Sequence, residues 1–246
     1  MKKVFVTGAN KGIGFGTAKL LLQNGFYVYI GSRNLKNGEA AADQLKAEGL
    51  KYVEAVQIDV TDDVSVKAVF EEIKKKTGVL DVLINNAGIN GGKDPYTARA
   101  AEPEEFKAAF DTNVVGTARV TNLFIELLRK SSSPRIVNLS TSVGSLTLQS
   151  DPEWPAYSYA KYAVYASSKA ALNMYTVHLA YELRDTNFKV NAVCPGLTAT
   201  DFTGGNGGDV ETAAGRIVKY AMIGEDGPTG KFFSEETNPE TGEVPW

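Results

Sequence analysis

Short apolar runs and longer amphipathic stretches take turns along this 246-residue chain. The runs Val4–Thr7, Tyr27–Gly31, Tyr52–Ile58, Val82–Asn85, Arg135–Ser140, Lys189–Val193 and Lys231–Phe233 read as strands. Between them, Ile13–Asn24, Lys36–Glu48, Asp62–Lys76, Glu104–Lys130, Ala160–Arg184 and Val210–Met222 carry helical patterning. Strands separated by whole helices pair in parallel, joined by crossovers, because a hairpin leaves no room for a helix. Right-handed crossovers then place helices on both faces of the sheet. Hydrophobic residues make up 43% of the chain, enough to fill such a core. There is no internal repeat and no low-complexity linker, so a single α/β domain over 1–246 is predicted. Two stretches break the alternation. Residues 146–158, with Asp151-Pro152-Glu153-Trp154-Pro155, read as a loop, and the glycine-rich 203–209 reads as a mobile loop or lid after the sixth strand.

The first strand runs straight into Thr7-Gly8-Ala9-Asn10-Lys11-Gly12-Ile13-Gly14, which opens the first helix. Glycines there let the backbone turn sharply and approach a pyrophosphate, while the helix N-terminus offers free N–H groups and a partial positive charge. This is the place where a doubly wound, Rossmann-type sheet holds a dinucleotide, which makes Gly8, Asn10, Lys11, Gly12, Ile13 and Gly14 candidate ligands. The second strand ends in Gly31-Ser32-Arg33-Asn34, without the acid that would bind a ribose 2′-hydroxyl. Arg33, with Lys11, suits instead the 2′-phosphate of NADP(H).

Tyr165-Ala166-Ser167-Ser168-Lys169 sets a phenol and an ammonium four residues apart, on one face of a helix. A cation beside a phenol stabilises the phenolate and is expected to lower its pKa, making Tyr165 an acid/base for an alcohol or carbonyl oxygen. Tyr157 and Lys161 have the same spacing, but Pro152 and Pro155 place them at or before the helix start.

Composition removes other classes. The net charge of −3 argues against a nucleic-acid partner. One histidine, His178, and one cysteine, Cys194, leave no metal cluster and no intrachain disulfide. No apolar run reaches membrane-spanning length, and the N-terminus lacks a signal-peptide core, so a cytoplasmic protein is expected.

The ordered set Thr7–Gly14, Asn85-Asn86-Ala87-Gly88, Asn113, Ser140-Thr141-Ser142, Tyr165-xxx-Lys169 and Cys194-Pro195-Gly196 resembles the short-chain dehydrogenase/reductase family. The closing Gly227-Pro228-Thr229-Gly230-Lys231-Phe232-Phe233-Ser234 is similar to its carbonyl reductases. That resemblance implies a seven-stranded parallel sheet and NADP(H)-dependent reduction of a ketone or aldehyde to an alcohol, with hydride transfer reversible. It implies Asp59 and Val60 beside the adenine, Asn86, Ala87 and Gly88 along the cofactor, and Asn113 in a proton relay with Lys169. It places Pro195, Gly196, Leu197, Thr198 and Thr200 at the nicotinamide amide and nearby phosphate. The family's serine that hydrogen-bonds the substrate oxygen aligns with Thr141, flanked by Ser140 and Ser142, which strand alternation would turn to the opposite face. Trp154, Tyr157, Tyr159 and Tyr162 either wall the substrate pocket or form an exposed loop. The long helices 104–130 and 160–184 suit pairing into a homodimer or homotetramer. A nucleotide-binding sensor would lack the Tyr165–Lys169 pair, and an epimerase would need a larger C-terminal domain.

Overall fold

The computed structural model describes residues 1–246. Seven strands form one parallel sheet: β1 (Lys3–Val6), β2 (Tyr27–Ser32), β3 (Val53–Gln57), β4 (Val82–Asn85), β5 (Arg135–Leu139), β6 (Lys189–Val193) and β7 (Phe232–Phe233), in the order β3-β2-β1-β4-β5-β6-β7. Helices α1 (Gly12–Gln23), α2 (Leu35–Ala47) and α8 (Val210–Ala221) cover one face. The other is covered by α3 (Asp63–Lys76), α5 (Thr117–Leu128) and α7 (Ala163–Glu182), with α4 (Pro103–Phe110) leading into α5 and a short α6 (Leu146–Ser150) after β5.

Alternation along each strand divides the core in two. Val4, Val6, Val28, Ile30 and Ile84 point to α1, α2 and α8, where they meet Leu21, Leu45 and Ile217. Phe5, Tyr29, Leu83, Ile136 and Val190 point the other way, against Phe70, Phe124 and Leu127. Phe124 packs between Phe5 at 4.8 Å and Phe70 at 5.5 Å between ring centroids. Burying each such side chain contributes roughly 1.5–3 kcal/mol.

The long fourth helix of the sequence reading is interrupted. Between α4 and α5 the chain widens into a π-helical turn, Asp111–Gly116. Such a turn adds a residue to the helix, often at a functional site, and here it brings Asn113 into the interior. The connection after β5 is also less irregular than expected, since it contains α6, and α7 starts at Ala163 rather than Ala160.

At the opposite edge of the sheet from the site, Arg135 is buried without a carboxylate partner. Its guanidinium donates to the carbonyls of Ile223 (2.9 Å), Gly224 (3.0 Å), Pro134 (2.9 Å) and Asn187 (3.3 Å). Arg135→Met keeps the bulk but leaves those carbonyls unpaired, and a loss of roughly 3 kcal/mol is expected. The check is a urea midpoint that falls while kcat at low temperature stays near wild type. An unchanged midpoint would mean that water replaces the guanidinium without cost.

Candidate active site

The sheet order reverses between β1 and β4, and the chain leaves these two strands in opposite directions. A crevice must open beyond their C-terminal ends. It is a cleft of about 1670 Å³, and every residue assigned above to the cofactor lines it. That space exceeds the roughly 300–1,000 Å³ of an ordinary small-molecule pocket, as a dinucleotide plus a substrate requires.

The glycine turn forms the floor at one end. Gly8 and Gly12 take φ of +63° and +56°. A Cβ on Gly14 would lie 2.5 Å from Asn86 Nδ2, so only glycine allows this approach. Asn86 fastens the turn by donating to the carbonyls of Thr7 and Gly8, both at 2.8 Å, and the Thr7 hydroxyl accepts the N–H groups of Asn86 and Ala87 at 3.0 Å. At the start of α1, Lys11 makes no side-chain cap and the first turn holds no acid. The helix end therefore keeps free N–H groups and its positive dipole facing the cleft, a fit for a pyrophosphate.

Asp59, Val60 and Arg33 line the far end. Hydrogen bonds from the Thr61 hydroxyl (2.7 Å) and N–H (2.9 Å) hold the Asp59 carboxyl below its ordinary pKa, against the effect of burial, with Arg33 and Arg119 adding to the shift. Arg33 is exposed and makes no ion pair. Lys11 does not join it as a second unpaired cation: its ammonium lies 2.7 Å from Asp201 across the cleft mouth. The expected pair of cations facing one phosphate is thus one unpaired guanidinium and one ammonium already shared.

Tyr165 and Lys169 stand one turn apart near the start of α7, inside the same cleft. Lys169 is buried, donates to the Leu139 carbonyl at 2.7 Å, and has its Nζ 5.8 Å from the centre of the Tyr165 ring. The expected lowering of the Tyr165 pKa by Lys169 is not met. Burial pushes the phenol above its ordinary value, with Cys194 adding to the rise, and burial pushes Lys169 down to about 8. Desolvation dominates because both charged forms would stand in a poorly hydrated wall.

Thr141 lies two residues beyond the end of β5 and lines the cleft, as do Ser140 and Ser142. Strand alternation does not separate them, because β5 ends at Leu139 and a single 3₁₀ turn begins at Ser142. Asn113 lies behind the cleft wall rather than on it. Its side chain bonds both the N–H and the carbonyl of Ile89 at 2.9 Å and donates to Ser168 at 2.9 Å, tying the loop after β4 to α7. Gly88 sits between it and Lys169, where a Cβ would lie a tight 3.2 Å from Asn113 Oδ1 and 3.6 Å from Lys169 Nζ.

Trp154, Tyr159 and Tyr162 line the cleft with Tyr96; Trp154 is buried, while Tyr159 and Tyr162 are also exposed to solvent. Tyr157 does not join them: the Lys161 ammonium sits 3.9 Å over its ring, before α7 begins. His178 is exposed on α7 and Cys194 is buried at the end of β6. Residues 203–209 fold over the cleft as a fastened loop, with the Gly208 N–H donating to Leu197 and the Ala199 N–H to Gly208, both at 2.8 Å. The Thr203 hydroxyl adds bonds to the Thr198 and Thr200 carbonyls.

Several residues of the cleft were not marked by sequence, and three of them make contacts with residues that were. Asp201 holds Lys11, Phe202 lies 5.5 Å from the Tyr165 ring, and Glu236 accepts the Leu197 N–H. The Thr-Asp-Phe run at the start of the glycine-rich loop was the one local signal for the first two. Nothing local marks Glu236.

Comparison with known proteins agrees with this fold. The sequence model of the family described as short chain dehydrogenase matches residues 2–210. The chain is 37% identical to a short-chain dehydrogenase of Penicillium roqueforti, over 95% of this chain and 94% of the other. It is 32% identical to salutaridine reductase of Papaver somniferum, over 93% and 92% of the two chains. Among solved structures, the NADPH-bound carbonyl reductase from chicken fatty liver is similar with a TM-score of 0.85 at 27% identity, over 100% of this chain and 99% of the other.

Proposed function

Since the chain belongs to the short-chain dehydrogenase family, an oxidoreductase family, we propose that it is an NADPH-dependent carbonyl reductase that converts a ketone or aldehyde to an alcohol, reversibly. One observation carries the reading: Tyr165 and Lys169 share a cleft with the uncapped, glycine-floored N-terminus of α1. When bound, the nicotinamide supplies the hydride. The protein's own part is the proton and the placement. Tyr165, held protonated by burial, donates to the substrate oxygen. Thr141 offers a second hydroxyl to that oxygen as charge develops on it. The Lys169 ammonium stabilises the phenolate left behind. Asn113 holds the wall behind Lys169, through which solvent protons return to Tyr165. Aromatic side chains keep bulk water from the reacting carbon, and a small carbonyl compound is the substrate class.

Arg33 underlies the choice of NADPH over NADH. A single partly exposed charge-assisted contact supports a preference of about 10–100-fold. The test is NADPH oxidation with aryl ketones, α-ketoesters and quinones, followed by kcat/KM with both cofactors for wild type and Arg33→Asp. Reversal of preference in Arg33→Asp is the expected result. Wild-type efficiency equal or better on NADH refutes the cofactor assignment, and no oxidation with any carbonyl refutes the activity.

A homodimer or homotetramer belongs to the same reading, supported by exposed Val115, Met174 and Tyr181 on the helices expected to pair. No helix is long and apolar enough to cross a membrane. The cytoplasm is the proposed location.

A further inference from the structure

The turn Pro195-Gly196-Leu197 lines the cleft next to Cys194, at the Tyr165 end and away from Arg33. Gly196 takes φ +86°. Glycine reaches this conformation without strain, but it leaves both flanking peptides free to swing. Two charged side chains remove that freedom. Arg216, from α8, donates to the Pro195 carbonyl at 2.6 Å. Glu236, beyond β7, accepts the Leu197 N–H at 3.2 and 3.3 Å through its two carboxylate oxygens. The ends of both side chains close on the α-carbon between them: a Cβ on Gly196 would displace the Arg216 guanidinium and come within 3.0 Å of Glu236 Oε1. Cation on the carbonyl side and anion on the N–H side match the polarity of the two peptides; the Arg216 bond is short, and the two Glu236 contacts are longer and exposed to solvent.

Glu236 is itself well placed. The N–H groups of Thr237 and Asn238 return to the Ser234 carbonyl at 3.1 and 2.9 Å, and the Ser234 and Thr237 hydroxyls lie 2.9 Å apart. Neighbouring Glu235 is engaged elsewhere, with Lys219 of α8 at 2.6 Å. Glu236 and Thr237 themselves line the cleft.

We infer that Glu236 is a positioning residue for the nicotinamide half of the cofactor, acting through the Gly196–Leu197 peptide that it holds. The inference rests on the reading of the cleft as an NADPH site. Its test needs a ligand that ends before the nicotinamide, and 2′,5′-ADP is one. Glu236→Ala is expected to weaken NADPH binding about 10-fold, followed by the fluorescence of the bound dihydronicotinamide, and to leave 2′,5′-ADP affinity within about 2-fold by calorimetry. Its kcat is expected to fall more than KM for the ketone rises, because a misplaced ring costs rate rather than ketone affinity. Glu236→Gln keeps an acceptor oxygen and is expected to recover most of the NADPH affinity.

Equal weakening of NADPH and 2′,5′-ADP in Glu236→Ala would make Glu236 a general structural residue and overturn the inference. So would unchanged NADPH affinity, or a Glu236→Gln variant no better than alanine. A wild-type chain that binds 2′,5′-ADP and NADPH and reduces ketones, with Glu236→Ala indistinguishable from it, overturns this inference alone. A wild-type chain that binds neither ligand overturns the cofactor reading and this inference with it.

Discussion

Tyr165→Phe is expected to lower kcat for ketone reduction by about 10²–10⁴-fold while leaving NADPH binding within a few-fold of wild type. The substitution removes one oxygen from a ring that α7 holds in the cleft, and it leaves the glycine turn, Arg33 and the Pro195–Thr200 segment untouched. Tyr157→Phe is expected to leave kcat unchanged, because that ring lies outside the cleft lining under the Lys161 ammonium. The pH profile separates the partners. Burial raises the phenol, so Tyr165 keeps its proton through neutral pH and into the alkaline range. Burial lowers Lys169 to about 8, so the ammonium is present below that pH and lost above it. Reduction should therefore decline as pH rises through about 8, from loss of the lysine charge rather than of the tyrosine proton. In Lys169→Met that step should vanish from a lower plateau. A profile flat to pH ~10 would show that the bound cofactor or solvent holds Lys169 charged, since an unperturbed lysine titrates near 10.4. A dead Tyr157→Phe beside an active Tyr165→Phe would move the acid to the other pair.

What the chain discloses by itself divides along sequence distance. Tyr165 and Lys169 are legible because both lie on one helix, where a spacing of four fixes their common face. The glycine turn is legible because its context, first strand to first helix, is local. The seven strands follow from alternation and hydrophobic run length. Beyond that reach the reading fails for physical reasons. The Lys11–Asp201 pair joins segments 190 residues apart, and nothing near Lys11 announces a partner. Glu236 is one of several acids near the C-terminus, and only folding shows that Glu235 turns to α8 while its neighbour turns to Leu197. The π turn at Asn113 has the hydrophobic pattern of an ordinary helix. An asparagine in mid-helix is a hint of irregularity, but the extra residue becomes visible only through the bonds to Ile89 and Ser168. The pKa of Tyr165 is raised by burial, with Cys194 adding to it, and spacing reports only that a lysine is near.

The largest remaining effect concerns the three hydroxyls that follow Leu139. Because β5 has already ended, pleat alternation cannot choose among them; the hydrogen bond of Ser140 and the burial of Ser142 separate them from Thr141 instead. Ser140 is engaged: its hydroxyl donates to Asn173 Oδ1 at 2.6 Å, and Asn173 donates onward to the Gly144 carbonyl at 3.2 Å. Thr141 has extended backbone angles, and its oxygen accepts only a long bond from the Val143 N–H at 3.4 Å, which leaves its proton free for a substrate oxygen. Ser142 is nearly buried where the 3₁₀ turn begins. Thr141→Ala is expected to lower kcat by about 10²–10³-fold, the usual cost of removing a donor to a developing alkoxide. Thr141→Ser should retain activity, since it keeps the hydroxyl and loses only a methyl group beside the reacting carbon. Ser140→Ala should cost about 1–3 kcal/mol of stability, by orphaning Asn173 in the interior, with kcat within a few-fold of wild type. Ser142→Ala should also stay within a few-fold of wild type, its hydroxyl having at most a local capping role. The measurements are steady-state kcat for the four variants and a urea midpoint for each. A near-normal Thr141→Ala beside an inactive, fully folded Ser142→Ala would assign the donor to the 3₁₀ turn instead of to the strand end.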